Sequence, residues 1–152
     1  MSESLRPVSA AEVRVLRGSL LRPGEPPASL VYHGDDAADT LHAGAFDGGE
    51  LIGIASVCQE ALPADLAALE RTGCWRLRGM ATVPRVRGMG YGRSLLEACF
   101  AHVTGRGGTL IWCNARVVAL GFYRHLGFDC HGEEFEIPPI GPHYVMTRRL
   151  DR

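Results

Sequence analysis

The chain has 152 residues, of which 46% are hydrophobic and 22% charged, with a net charge of −1 and a pI near 6.6. A chain of that size buries roughly 68–70% of its unfolded surface, so one core forms without a staple, and a low-hydrophobicity disordered chain is excluded. Nucleic-acid binding goes with a strong basic excess, which is absent here, so nucleic acid is not expected as the main partner.

In chain order, Met1 to Pro7 carries no apolar segment of the kind a secretory signal needs. Ser9 followed by Glu12 has capping-box spacing, and Val13, Val15, Leu16 and Leu20 approximate one helical face, predicting a helix over 10–20. Pro23, Gly24, Pro26 and Pro27 end it. Strands are predicted over 40–46 and 51–57, joined as an antiparallel hairpin by Asp47-Gly48-Gly49-Glu50. Residues 64–72 read as a short helix or an irregular loop.

A strand over 75–83 stops at Pro84, and a glycine-rich loop, 85–92, leads into a helix whose apolar positions are Tyr91, Leu95, Ala98, Cys99, His102 and Val103. Thr109–Cys113 is a wholly apolar strand, closed by Asn114. A helix over 117–126 follows, with Gly127 at its C′ position, then a strand from Phe128 and a last strand over 144–150. The fold class is α/β (α+β), with parallel pairing in the middle of the sheet, in a single domain over 1–152. No apolar run approaches the ~20 residues that cross a bilayer. The five cysteines, Cys58, Cys74, Cys99, Cys113 and Cys130, form no CxxC pair, so neither a disulfide framework nor a zinc ribbon is expected. The histidines lack metal-ligand spacing, so no metal is expected, and a cytoplasmic location fits.

The loop at 85–92 is where chemistry enters. Free N–H groups at a helix start, with the positive end of the helix dipole, face whatever lies in front. Glycines allow close backbone approach, and Arg85, Arg87 and Arg93 add charge suited to phosphate oxygens. The G-x-G-x-x-G fingerprint fails because its last glycine falls on Arg93, and the P-loop fails for want of its lysine. R-x-x-G-x-G fits, in Arg85, Gly88 and Gly90. Alone, such a loop is equally well a helix-start turn with surface arginines.

Val83-Pro84-Arg85-Val86-Arg87-Gly88-Met89-Gly90-Tyr91-Gly92 resembles motif A of the GNAT N-acetyltransferases. Asn114, with Ala119-Leu120-Gly121-Phe122-Tyr123-Arg124-His125-Leu126-Gly127-Phe128, resembles their motif B in the same order and separation. The tail Gly141–Met146 resembles the ending of a small bacterial branch. The resemblance implies a mixed sheet whose central parallel strands, 75–83 and 109–113, splay apart, with acetyl-CoA as co-substrate. Pantetheine is expected to pair with the backbone of Met80, Ala81 and Val83. The pyrophosphate is expected on Arg85, Arg87, Gly88, Met89, Gly90, Gly92 and Arg93, with Asn114 near the pantetheine.

The reaction implied is acetyl transfer from the thioester to a primary amine by direct attack; the alternative is a non-catalytic acyl-CoA-binding or sensing module. Tyr123 matches the family's general acid, against the alternative of a core aromatic beside Phe122. The Ala81 amide is the expected oxyanion donor. His42, Glu60, Glu136 and His143 are candidate bases, with a water chain as the alternative. Where some family members carry an acid on the first splayed strand, this chain has Arg76 and Arg78. That suggests negative charge on the acceptor, against the alternative of a solvated strand face. Cys113 borders the gap but reads as a small structural hydrophobe. The acceptor, a small molecule or a peptide amine, is not encoded legibly. A homodimer is the default assembly.

Overall fold

The hairpin forms where the sequence demands a turn with φ > 0 at both central residues. Gly48 and Gly49 have φ of +60° and +88°, and Asp47 faces Glu50 across them. The structure, a computed structural model, describes residues 4–150; residues 1–3 and 151–152, the ends of the expected 1–152 domain, lie outside it. The hairpin strands are β2, Leu41–Asp47, and β3, Glu50–Gln59. A short strand that no periodicity announced, β1, Leu5–Pro7, covers the edge of β2. Its Pro7 is tolerated because edge strands can spare an N–H.

Next come β4, Cys74–Thr82; the helix α2, Tyr91–Gly105; and β5, Leu110–Arg116. They are followed by a short helix α3, Leu120–His125, then β6, Asp129–Ile137, and β7, Gly141–Arg149. One seven-stranded sheet results, in the order β1-β2-β3-β4-β5-β7-β6. Among the described residues, only β4 and β5 pair in parallel, and the other pairs are antiparallel.

Strand alternation assigns the faces. Trp75 and Leu77 of β4, Ile111, Cys113 and Ala115 of β5 and Met146 of β7 pack with Leu95, Leu96, Cys99 and Val103 of α2. Cys74, Leu110, Trp112 and Val145 form a smaller cluster with Leu62. They occupy the intervening strand positions, so they lie on the opposite face.

Several elements differ from expectation in extent. Asn114 does not close β5: the strand runs on to Arg116 because β7 pairs along it, Tyr144 against Ala115 and His143 against Arg116. Residues 64–69 form a 3-10 helix, and 117–119 do the same before α3. Gly127 takes φ +90° past the end of α3, as its C′ position requires. The first helix, α1, Ala10–Leu16, carries the reciprocal Ser9–Glu12 capping box. It then widens into a π-helical turn, Arg17–Leu21.

Arg17 is fully buried at that turn. Its guanidinium donates to Asp35 Oδ2 at 2.7 Å and Oδ1 at 3.0 Å, to the Leu30 carbonyl at 2.8 Å and to Ser56 Oγ at 3.1 Å. Burial pushes the Asp35 carboxyl up, but the Arg17 hydrogen bonds, the Tyr32 amide and the Arg17 charge outweigh it and hold the group below its ordinary value. The unfolded carboxyl titrates near 4. The pair's contribution is therefore full above that pH and lost as pH falls through the lowered folded value. Asp35→Ala, which leaves Arg17 buried and uncompensated, is expected to cost about 3–5 kcal/mol in urea denaturation at pH 7, with a smaller difference at acid pH.

Candidate active site

Parallel pairing between β4 and β5 lasts for three residues, Cys74–Arg76 against Leu110–Trp112. Beyond them the strands part. β3 holds β4 on one outer side, and β7 holds β5 on the other. A bulge just past the last paired rung assists: Ile54 faces Ala81 while Ser56 faces Arg78, so β4 carries one extra residue around Gly79, φ +64°. Bulges add local twist and turn a strand away from its neighbour. The cleft between the strands has a volume of about 800 Å³, within the range of small-molecule and cofactor sites.

At one end stands the start of α2. Its cap residue, Gly90, has φ +88° and offers no side chain; Gly88 has φ +82°. Arg87 and Met89 spend their amides on the Pro84 and Val86 carbonyls at 3.2 Å. Among the described residues, the amides of Gly88, Gly90, Tyr91, Gly92 and Arg93 have no backbone acceptor. A Cβ at Gly88 or Gly90 would meet nothing within 4 Å. This is an open nest of donors at a helix N-terminus, suited to an anion. Gly92 differs: a Cβ there would meet Met80 Cε at 3.1 Å and Phe122 Cζ at 3.2 Å, so its bareness also serves packing.

Met80, Ala81, Arg87, Gly88, Gly90, Gly92, Arg93, Asn114 and Tyr123 all line the cleft. Three expected residues stand off it. Arg85 is drawn to Asp47 Oδ2 at 3.0 Å and Glu50 Oε1 at 2.7 Å on the hairpin turn. Met89 projects into solvent beside a smaller hollow shared with Ser4 and Leu5. Val83 donates its amide to the Ile52 carbonyl at 2.9 Å and packs on the core. Amides two apart along a strand point the same way, so the Ala81 N–H also faces β3. The cleft-side backbone belongs to Thr82, whose carbonyl accepts from the cleft-lining Arg87 at 3.4 Å. The oxyanion donor expected at Ala81 is therefore turned away.

Asn114 lies on the face of Trp112 and Val145, and its Oδ1 is buried without a partner. An acceptor left bare at a cleft wall fits a ligand N–H. On the α2 face, the Tyr123 ring packs edge-on against Phe122 at 5.2 Å and Phe128 at 5.3 Å. The two expectations for Tyr123 thus coexist: its ring is core and its residue lines the cleft. No described residue hydrogen-bonds its hydroxyl. Burial pushes its phenol well above the ordinary value, which keeps it protonated. Cys113, in the same wall, has its thiol pushed up to about 12 by burial, so no thiolate nucleophile forms there.

Of the four candidate bases, only His143 lines the cleft. His42 is locked to Ser56 Oγ at 2.7 Å and the Asp35 carbonyl at 2.9 Å; Glu60 is paired with Arg76 at 3.0 Å; Glu136 is exposed on β6. His143 Nδ1 lies 2.7 Å from the Gly141 carbonyl, which can only accept, so the proton is on Nδ1. In the neutral ring Nε2 then carries the lone pair. Arg116, Tyr32, Leu21, Ile137 and Ile140 also line the walls without having been singled out in the sequence. Most belong to segments brought in from far along the chain, which no local pattern marks.

Comparison with known proteins agrees with this geometry. The family model described as Acetyltransferase (GNAT) family matches residues 12–128. The chain is 34% identical over 146 residues to the uncharacterised N-acetyltransferase YitI of Bacillus subtilis (strain 168), covering 96% of this chain and 95% of the relative. Its fold resembles that of Escherichia coli ElaA, with a TM-score of 0.74 and 17% identity over 95% of this chain and 97% of the other. It also resembles an aminoglycoside 6'-N-acetyltransferase complexed with coenzyme A, with a TM-score of 0.72 and 16% identity over 97% of each. With its splayed strands, open helix start and matching sequence pattern, the chain belongs to the acetyltransferase (GNAT) family.

Proposed function

We propose that the chain, acting over 1–152 as one unit, transfers acetyl from acetyl-CoA to a primary amine by direct attack. The observation that carries this reading is the cleft opened by the splay of β4 and β5, with an unpaired nest of amides at one end and a protonated tyrosine in its wall. Gly88, Gly90, Tyr91, Gly92 and Arg93 would hold the pyrophosphate, with Arg87 beside them. The free edge of β4 and the bare Asn114 Oδ1 would take the pantetheine arm. Arg85, Met89 and Val83 have no part in it.

The thioester supplies an activated acetyl group whose leaving group is a thiolate. His143 Nε2 accepts a proton from the acceptor ammonium, freeing the lone pair that attacks. Cleft-side amides of β4, Thr82 among them, face developing negative charge on the carbonyl oxygen. Tyr123 donates its proton to the departing sulfur. A C–N bond forms and the C–S bond breaks. Of the two protons the ammonium loses, one restores Tyr123 and the other leaves through His143, so one proton is released per transfer.

Acetyl-CoA or coenzyme A at 100 times its Kd is expected to stabilise the fold by about 2.7 kcal/mol in a thermal-shift titration, with NAD and ATP inert. A response to NAD or ATP alone contradicts the proposal. Tyr123→Phe is expected to lower kcat about 10²- to 10⁴-fold with unchanged acetyl-CoA affinity; equal turnover removes Tyr123 from the reaction, in favour of a binding module. Gly90→Val places a β-branched residue at φ +88° in front of the nest. Calorimetric titration should show acetyl-CoA affinity falling about tenfold or more, the equivalent of one charge-assisted hydrogen bond.

A further inference from the structure

On the face opposite α2, the cleft is walled by Arg76 and Arg78 of β4, with Arg22, Tyr32 and His143 around them. Among the described residues, no aspartate or glutamate lines the cleft. Two of these arginines are already matched: Arg22 with Glu25 at 3.4 Å and Arg76 with Glu60 at 3.0 Å. Arg78 is not. Among the described residues it makes no ion pair and no hydrogen bond. Its guanidinium is fixed by stacking, 4.2 Å over the Tyr32 ring, which also carries Arg17 at 3.9 Å. Arg78 is thus a half-buried cation, held in position beside two others, with its donors unspent. Burial, and then the Arg76 charge, disfavour its protonated form. Such a cation is costly unless an anion comes to it.

We infer that the acceptor is a compact amine bearing an anionic group, carboxylate or phosphate, which Arg78 holds. The inference rests on the acetyl-transfer reading above and specifies its substrate class; the bonds made and broken are those already given. His143 and Asn114 share this sheet face, so the anchor and the proton acceptor belong to the same wall. Polyamines and other polycationic amines would meet like charge there.

The test begins by establishing acetyl-CoA binding by thermal shift. Thiol release is then followed with matched acceptors: amino acids against their amides, aminosugar phosphates against the free aminosugars, and polyamines. The expected result is a KM for at least one anionic acceptor about 10- to 100-fold below that of its uncharged partner. Arg78→Gln should abolish that preference without changing the Kd for acetyl-CoA, and Arg78→Lys should restore part of it. The amino-acid and phosphate arms tell which anion is held. Preference for uncharged or polycationic amines overturns the inference. So does a full anionic preference in Arg78→Gln, or acetyl-CoA binding with no anionic amine acetylated. Failure to bind acetyl-CoA overturns the functional reading itself, and this inference with it.

Discussion

The cleft in this chain depends on a hydrogen-bond ladder that stops after three residues. Two parallel strands that begin together normally continue together, because an unpaired interior amide or carbonyl is costly. Here β3 and β7 grip the outer edges of β4 and β5, and the extra residue near Gly79 turns β4 aside. The inner edges beyond Arg76 and Trp112 are left facing a gap. Backbone groups left bare inside a fold are a standing preference for a polar, extended guest, and an amide-rich arm is such a guest.

The two sheet faces divide the labour at that gap. The face under α2 presents the helix start, the buried tyrosine and an inert thiol. The other face presents arginines, His143 and the bare oxygen of Asn114. Alternation along β5 alone puts Cys113 and Asn114 on opposite sides. Adjacent residues on one strand therefore face different walls of one cleft, and the splay is where the walls meet.

What was legible in the sequence was local. The hairpin at Gly48-Gly49, the capping box at Ser9 and Gly127 after α3 are each set by neighbours within a few residues, and each is where it was expected; the glycine loop expected over 85–92 precedes α2 as expected but ends at Gly90, since Tyr91 and Gly92 are already helical. Tyr123 and Asn114 could be marked because a family pattern carries them, not because periodicity does. The illegible parts are set at a distance. Arg85 belongs to the glycine loop by position, yet carboxylates 35 and 38 residues away claim it. Ala81 was assigned an amide role that the β3 register reverses. β5 outran its apolar run because β7 supplies partners for Asn114, Ala115 and Arg116. His143 was one of four equal candidates until tertiary packing brought it alone to the cleft.

The buried Arg17–Asp35 pair has a reach that its place behind the cleft conceals. Asp35 Oδ2 accepts the Tyr32 amide at 2.9 Å, Arg17 stacks on the Tyr32 ring, and that ring carries Arg78. A Cβ on Gly79 would meet Arg17 Nε at 3.2 Å, so the bulge is in the same cluster. The buried Arg17 is thus the footing of the Arg78 end of the cleft. This corner cannot be reworked one residue at a time: a substitution at Tyr32 that reshapes the cleft wall also loosens the packing over Arg17. Ile137 and Ile140, walls of the same cleft contributed by the far end of the chain, stand outside that cluster, so the shape of the cleft can change there while the stacked arginines keep their footing.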